Sequence, residues 1–341
     1  MPLLEKNSKV LLFPQGSLIL VTGANGSVAS NIITEALANG FRVRGTVRSA
    51  SSIPSLTALY HSPLYSTVVI PDFKISDAFD TAVDSVSAII HTATKLPGPV
   101  DPSEIVPETI TSMQNILLSA SKTPSVKRIV YTGTIPIAFK PNQPYKLDRT
   151  SWADEAVAAS EAPPPYGPDR IFANYKAAKD GAEKQMFAFV NKNEGLGFSV
   201  NSVLPCCIFG RMVAKPSETG EWPRELLRGN WPAGAGVGQW YVNMTDVARL
   251  HLAAAIDATI TNERFLAAAA PFNWNELVDV VQKIAPDAKV AAHLEDPSID
   301  IGVVDNQPGA EALKKWFGQD GWTGLEVSIR ENLEGEKGVT T

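Results

Sequence analysis

A chain of 341 residues, 44% of them hydrophobic, is long enough to bury one large core and a smaller lobe. A formal net charge of -6 without a basic stripe argues against nucleic acid as a partner, and the only two cysteines, Cys206 and Cys207, are adjacent, which leaves no disulfide framework. No apolar run is long enough to cross a bilayer, and residues 1–13 interleave charges with short apolar stretches in place of a signal-peptide core, so no membrane contact and a cytoplasmic setting are expected. The four histidines, His61, His91, His251 and His293, are scattered without metal-ligand spacing, and no metal is expected.

Residues 18–30 read L-I-L-V-T-G-A-N-G-S-V-A-S, an apolar strand that breaks into glycines where the pattern turns helical. Gly23 and Gly26 alone also fit an ordinary strand-to-helix turn. As a dinucleotide site, Gly23 makes the turn, Gly26 lets the backbone approach a pyrophosphate, and Ala29 keeps the helix close to the sheet. Asn25 and Val28 complete the turn expected to hold the cofactor. The next strand, 41–47, ends in Arg48 and Ser49, and no Asp or Glu occurs between Glu35 and Asp72. A carboxylate at this strand end suits the ribose of NAD, whereas cationic donors suit a 2′-phosphate, so NADPH/NADP+ is the expected cofactor. Arg44 points to the same end of the strand or to solvent.

Strand-like runs recur at 67–70, 88–91, 128–132 and 198–204 with room for helices between them. Such alternation predicts an α/β fold of Rossmann type, a doubly wound parallel sheet with the ligand at the carboxyl ends of its strands. Asp72 and Phe73 follow the third strand and are placed to flank adenine; Thr92 and Ala93 follow the fourth, where small residues let the cofactor pass. Residues 110–120 read as a buried helix in which Asn115 caps or bonds within the core. The fifth strand ends in Thr132-Gly133-Thr134; Thr134 is the candidate to polarise a carbonyl, with Thr132 as its rival and as a cofactor contact. Proline-rich irregular stretches at 141–168 and 215–239 fit walls or lids of a site. Residues 1–205 are read as the nucleotide-binding domain, with 239–257 returning to it, and 206–341 mainly as a substrate-binding lobe.

Tyr175 and Lys179 lie four apart in the helical stretch 171–190, so both project from one face. An ammonium beside a phenol is expected to lower a pKa that is otherwise about 10, giving a usable proton donor for carbonyl reduction. The expected pocket wall is apolar, with Ile135, Phe172, Phe209 and Trp222 as candidates and Gln239 as a polar anchor.

The motifs V-T-G-A-N-G-S-V-A at 21–29, G-T-V-R-S at 45–49, P-S-V-K-R-I-V at 124–130, Y-K-A-A-K at 175–179, N-S-V-L-P at 201–205 and W-Y-V-N-M-T-D-V-A at 240–248 span nearly the whole chain. On them the sequence resembles the extended short-chain dehydrogenase/reductases, in the branch of fungal NADPH-dependent carbonyl reductases related to plant dihydroflavonol reductases. The resemblance implies Tyr175 as proton donor, Lys179 as its electrostatic partner, Pro205, Cys206 and Cys207 beside the nicotinamide, and Asn115 supporting the lysine through water. The family shows T-S-S where this chain has Thr132-Gly133-Thr134, so Thr134 stands in for the serine with a different pocket shape, or the reduction is slow or specialised. The expected partner is a small-molecule carbonyl compound and the expected assembly a monomer or homodimer. The alternatives are an NADPH-binding sensor or scaffold without turnover, and a dedicated secondary-metabolite reductase or epimerase of the same fold.

Overall fold

The computed structural model describes residues 7–94, 97–98, 100–136, 142–336 and 339. In chain order its main elements are β1 (Leu18–Val21), α1 (Ser27–Ala38), β2 (Arg42–Val47), α2 (Ile53–Tyr60), β3 (Tyr65–Val69), β4 (Ala88–His91), α3 (Val106–Ser121), β5 (Arg128–Thr132), β6 (Lys146–Leu147), α4 (Asp154–Glu161) and α5 (Arg170–Lys192). They continue with β7 (Ser199–Pro205), β8 (Cys207–Phe209), α6 (Trp222–Leu227), β9 (Gln239–Asn243), α7 (Met244–Ile256), β10 (Arg264–Ala267), β11 (Ala270–Phe272), α8 (Trp274–Ile284), β12 (Val303–Val304), α9 (Gln307–Phe317) and α10 (Leu325–Asn332).

Seven strands form one sheet in the order β10-β7-β5-β4-β1-β2-β3, and every pairing in it is parallel. The chain winds outward from β1 in both directions, so the switch point lies between β1 and β4. Buried on both faces, the central strands read as continuous apolar runs. Ile19 and Val21 face α1, α7 and α9, while Leu18 and Leu20 face the core under α3 and α5. Helix α7 is buried along almost its whole length, as its sequence V-A-R-L-H-L-A-A-A-I between sheet and helices requires.

The return of 239–257 divides in two. Helix α7 packs on the main sheet, but β9 joins a separate three-stranded sheet, parallel to β8, which follows β7 in the chain, and antiparallel to β11. Strand β10 and helix α9 also belong to the layers of the main sheet. The lobe has its own aromatic core of Phe209, Tyr241, Phe272 and Trp274, with Trp222 packed against it. No helix among the described residues is long and apolar enough to cross a membrane.

One buried ion pair fastens the proline-rich excursion to the sheet edge. Arg264, at the start of β10, donates to Glu183 on α5 at 2.8 and 3.1 Å and to the carbonyls of Arg149 and Ser151 at 2.7 Å each. Its guanidinium also lies 3.7 Å above the centre of the Trp152 ring. Because both charges are buried, removing one strands the other in a region of low dielectric. Arg264→Ala is therefore expected to cost about 3–5 kcal/mol in urea unfolding, whereas the double change Arg264→Met with Glu183→Gln costs clearly less; a single-variant loss below about 1 kcal/mol would show that the pair is not structural.

Candidate active site

The carboxyl ends of β1 and β4 are tied together by one hydroxyl. Thr22 Oγ1 accepts from the backbone N–H groups of Thr92 and Ala93 at 3.0 and 3.1 Å, and its own proton goes to His91 Nδ1 at 2.9 Å. Burial, aided by the charge of Lys179, holds that imidazole far down at about 3, so it is a neutral acceptor at physiological pH. Gly23 turns with φ +70, and a Cβ there would stand 3.1 Å from that of Ala93. This explains both small residues: the strand end and the 92–93 segment approach as closely as backbone allows. Helix α1 then starts at Gly26 with no side-chain cap and no acidic residue in its first turn, leaving its opening N–H groups for an anion. Ala29 is buried, Val28 packs half-buried on the core, and Asn25 is exposed on the turn.

At the end of β2, Arg48 and Ser49 are exposed, and Arg48 has no ion-pair partner among the described residues. Ser49 shares a hydrogen bond of 2.8 Å with Ser51. Arg44 is occupied elsewhere, donating to the carbonyls of Ala82 and Asp84 at 2.7 and 3.0 Å. Asp72 accepts from the Lys74 backbone at 2.9 Å, and Phe73 packs between Phe79 and His91, with centroids at 4.8 and 6.3 Å. An uncapped helix start, a glycine turn too tight for a Cβ and an uncommitted guanidinium at the neighbouring strand end together fit a phosphorylated dinucleotide.

The Asn115 amide donates to the carbonyls of Phe73 and Ile75 at 2.9 and 3.1 Å, which holds the 73–75 loop against α3. The hydroxyl of Thr132 is buried and bonds His251 Nε2 at 2.8 Å, so it is not free for a substrate carbonyl. His251 Nδ1 sits 2.8 Å from the Val247 carbonyl and so carries the proton, leaving Nε2 to accept from Thr132. Only the Thr132 carbonyl faces the site, where it receives Lys179 Nζ at 2.8 Å.

That bond fixes the central pair. Lys179 is buried, with Nζ also 5.1 Å from the centre of the Tyr131 ring, and Tyr175 stands one helical turn before it. The electrostatics run opposite to the expectation from sequence. Burial, reinforced by Glu218, pushes the Tyr175 phenol up to about 12, and burial pushes Lys179 down to about 7 against the opposing pull of Glu183. In both groups desolvation sets the direction, and Nζ is bound to a neutral carbonyl. Thr134 is partly exposed and its hydroxyl has no side-chain partner among the described residues.

The residues expected beside the nicotinamide and along the pocket have varied surroundings. The Pro205 carbonyl accepts from Ile135 N at 3.1 Å, Cys206 Sγ lies 3.4 Å from the Ala267 carbonyl, and the Cys207 thiol donates to Gln239 Oε1 at 2.8 Å. Ile135 is buried in a small cluster with Leu204, Trp240 and Leu266, and Phe209 is wholly buried in the lobe core. Trp222 leans on Trp274 with ring centroids 5.0 Å apart. Phe209 and Trp222 thus pack in or against the aromatic core of the lobe, and Ile135 packs at the edge of the main sheet. Phe172, 51% exposed, does line a cavity of about 610 Å³ between the excursion and α5, with Pro136, Tyr145, Trp152 and Lys176.

Two charged residues near the phenol carry no sequence signal of their own. Glu218 comes close enough to raise both Tyr175 and Cys207, and Lys176 is itself pushed down to about 8 by burial, with Cys207 opposing. Lys176 was readable only as the residue after Tyr175; Glu218 is brought in by the lobe from far along the chain. Among the described residues no cluster of three or more His, Cys, Asp or Glu is placed to hold a metal.

A family model described as NAD(P)H-binding matches residues 23–163. Ketoreductase adrE of Penicillium rubens is 35% identical over 95% of this chain and 98% of that protein, and aldehyde reductase 2 of Sporidiobolus salmonicolor is 31% identical over 95% and 97%. The fold matches that of yeast methylglyoxal/isovaleraldehyde reductase Gre2 complexed with NADPH, with a TM-score of 0.77 at 21% identity over 92% of this chain and 96% of that one.

The buried amine makes stability depend on pH. The folded pKa of about 7 lies below the unfolded value of about 10.4, so between them the unfolded chain binds the extra proton and stability rises with pH. Lys179→Met removes that burden. Its melting temperature is expected to exceed that of the wild type by a few degrees below about pH 7, with the gap closing toward about pH 10; a gap that stays constant or widens in thermal unfolding would refute the assignment.

Proposed function

The chain belongs to the extended short-chain dehydrogenase/reductases, an oxidoreductase family that binds NAD(P)H, and from that premise we propose that it reduces bulky apolar or aromatic ketones and aldehydes to alcohols with NADPH. The observation that carries this reading is half-buried Tyr175 one helical turn before buried Lys179, whose ammonium is bonded to the end of β5, one strand removed from the glycine turn of β1. When bound, NADPH supplies the hydride.

Tyr175 gives its phenolic proton to the carbonyl oxygen. A phenol held at about 12 stays protonated through neutral pH, so it is loaded for reduction and is a poor base for the reverse reaction. Lys179 stands between the phenol and the strand end, where its ammonium stabilises negative charge as the phenol gives up its proton. Thr134 donates its hydroxyl to the same carbonyl oxygen, a bond that strengthens as charge develops there. Since Thr132 is spent on His251, Thr134 is left as the hydroxyl at this strand end that serves the role of the family serine.

Support for NADPH over NADH comes from Arg48, exposed at the end of β2 without an ion-pair partner among the described residues, and from a stretch without carboxylates between Glu35 and Asp72. A cavity of about 610 Å³ lies along α5 next to the helical turn that carries Tyr175, with Pro136, Trp152 and Phe172 on its wall beside the charged Asp154, Asp169 and Lys176. Its size suits a small organic molecule. Relatives named ketoreductase and aldehyde reductase accord with both choices.

Tyr175→Phe is expected to lower turnover of an aryl ketone by about 10²–10⁴-fold while NADPH binding, followed by fluorescence, is kept; full activity in that variant would remove the phenol from the reaction. Arg48→Met is expected to weaken NADPH by about tenfold and leave NADH unchanged, and tighter binding of NADH than NADPH by the wild type would overturn the cofactor choice.

A further inference from the structure

The pyrophosphate end of the dinucleotide site lacks a cation of its own. Residues 23–31 contain no Lys or Arg, and Arg48 belongs to the neighbouring strand end, suited to the 2′-phosphate. The partial charge of a helix start, about half a unit, is small against a diphosphate.

A segment from the lobe reaches this spot. Ser27 Oγ, on the first residue of α1, donates to the carbonyl of Lys215 at 2.7 Å across 188 residues of chain. Three residues later the charge of Glu218 acts on the Tyr175 phenol. The segment 215–218 therefore leads from the start of α1 toward the helix that carries Tyr175. Both flanks of the segment are pinned to the lobe. Gly210 N donates to Asn332 Oδ1 at 3.2 Å and Asn332 Nδ2 donates to the Gly220 carbonyl at 2.8 Å. Thr219 Oγ1 accepts from Ile208 N and donates to Ile208 O at 3.0 and 3.1 Å.

Between the pins, Lys215 is exposed and has no ion-pair partner among the described residues. Arg211, the other cation of the segment, faces Glu334 at 3.6 Å. We propose that Lys215 is a cofactor-binding residue whose ammonium neutralises the pyrophosphate at the start of α1, making residues 211–218 a strap that links the lobe to the bound dinucleotide. The backbone contact with Ser27 sets the base of a four-carbon stem beside the open N–H groups, and an ammonium carried there acts as a mobile point charge. This inference rests on the dinucleotide-binding reading and adds a residue to it.

The test separates the two phosphate sites. NADPH and NADH share the pyrophosphate, and only NADPH carries the 2′-phosphate. Both are titrated by fluorescence into the full-length wild type, Lys215→Met, Lys215→Arg and Arg48→Met, at about 0.02 M and about 0.5 M salt, where screening differs strongly. Lys215→Met is expected to weaken both cofactors by the same factor, about tenfold at low salt and less at high salt. Lys215→Arg is expected to keep the wild-type constants, and Arg48→Met to weaken NADPH alone. Unchanged binding in Lys215→Met, a loss confined to NADPH, or an equal loss in Lys215→Arg would each overturn the proposal while leaving the dinucleotide reading in place. A wild type that bound neither cofactor would overturn both.

Discussion

An amine held out of water on a single backbone carbonyl governs the architecture of the site. Lys179 can reach Thr132 only if α5 lies close against the sheet, and the helix is built for that approach. Ala178 and Ala182 are wholly buried, and at Gly181 an added Cβ would come within 2.8 Å of Ile110 on α3. Small residues on this face let α3 and α5 close over β4 and β5, which in turn removes water from the lysine and from Tyr175. The desolvation that lowers the lysine and raises the phenol is thus a product of helix packing.

The lobe is joined to the sheet by polar seams as well as by its aromatic core. Asp300 receives the Tyr145 hydroxyl at 2.7 and 2.9 Å and the Trp240 indole at 3.1 Å, which draws the excursion, β9 and the 298–304 segment together. At Gly302 the Tyr145 ring lies so near that a Cβ would stand 2.1 Å from it. The Cys207 thiol bonded to Gln239 completes the seam. With the Arg264 and Glu183 pair at the far end of the excursion, one wall of the cavity is tied at several points to the helix that carries Tyr175.

Six strands of the main sheet were legible in the sequence because a parallel strand buried on both faces is a short apolar run, and the glycine turn because it interrupts one. The seventh, β10, is not legible as a strand: its R-F-L-A has no β-branched residue and runs on into further alanines with no turn residue to mark its end. Residues whose chemistry has two uses are harder to read. Phe209 lies in the lobe core with Trp222 packed against it, and Ile135 sits in a separate cluster with Leu204, Trp240 and Leu266, because bulk against a substrate and bulk against another side chain look alike in one dimension. The Thr132 hydroxyl bonds His251 and the Asn115 amide bonds the 73–75 backbone, and spacing carries no record of which neighbour a hydroxyl or amide will find. Glu218 and Lys215 arrive through a long connection, and no local pattern announces them.

The departure from T-S-S has a steric root. Beside Gly133, Leu204 Cδ2 occupies the place a side chain would take, 2.2 Å from where its first carbon would lie. A side chain at 133 would require the end of Leu204 to turn away from the space it fills between adjacent strands. Glycine and leucine at these two positions thus act as one packing unit, in which the volume given up by one is taken by the other.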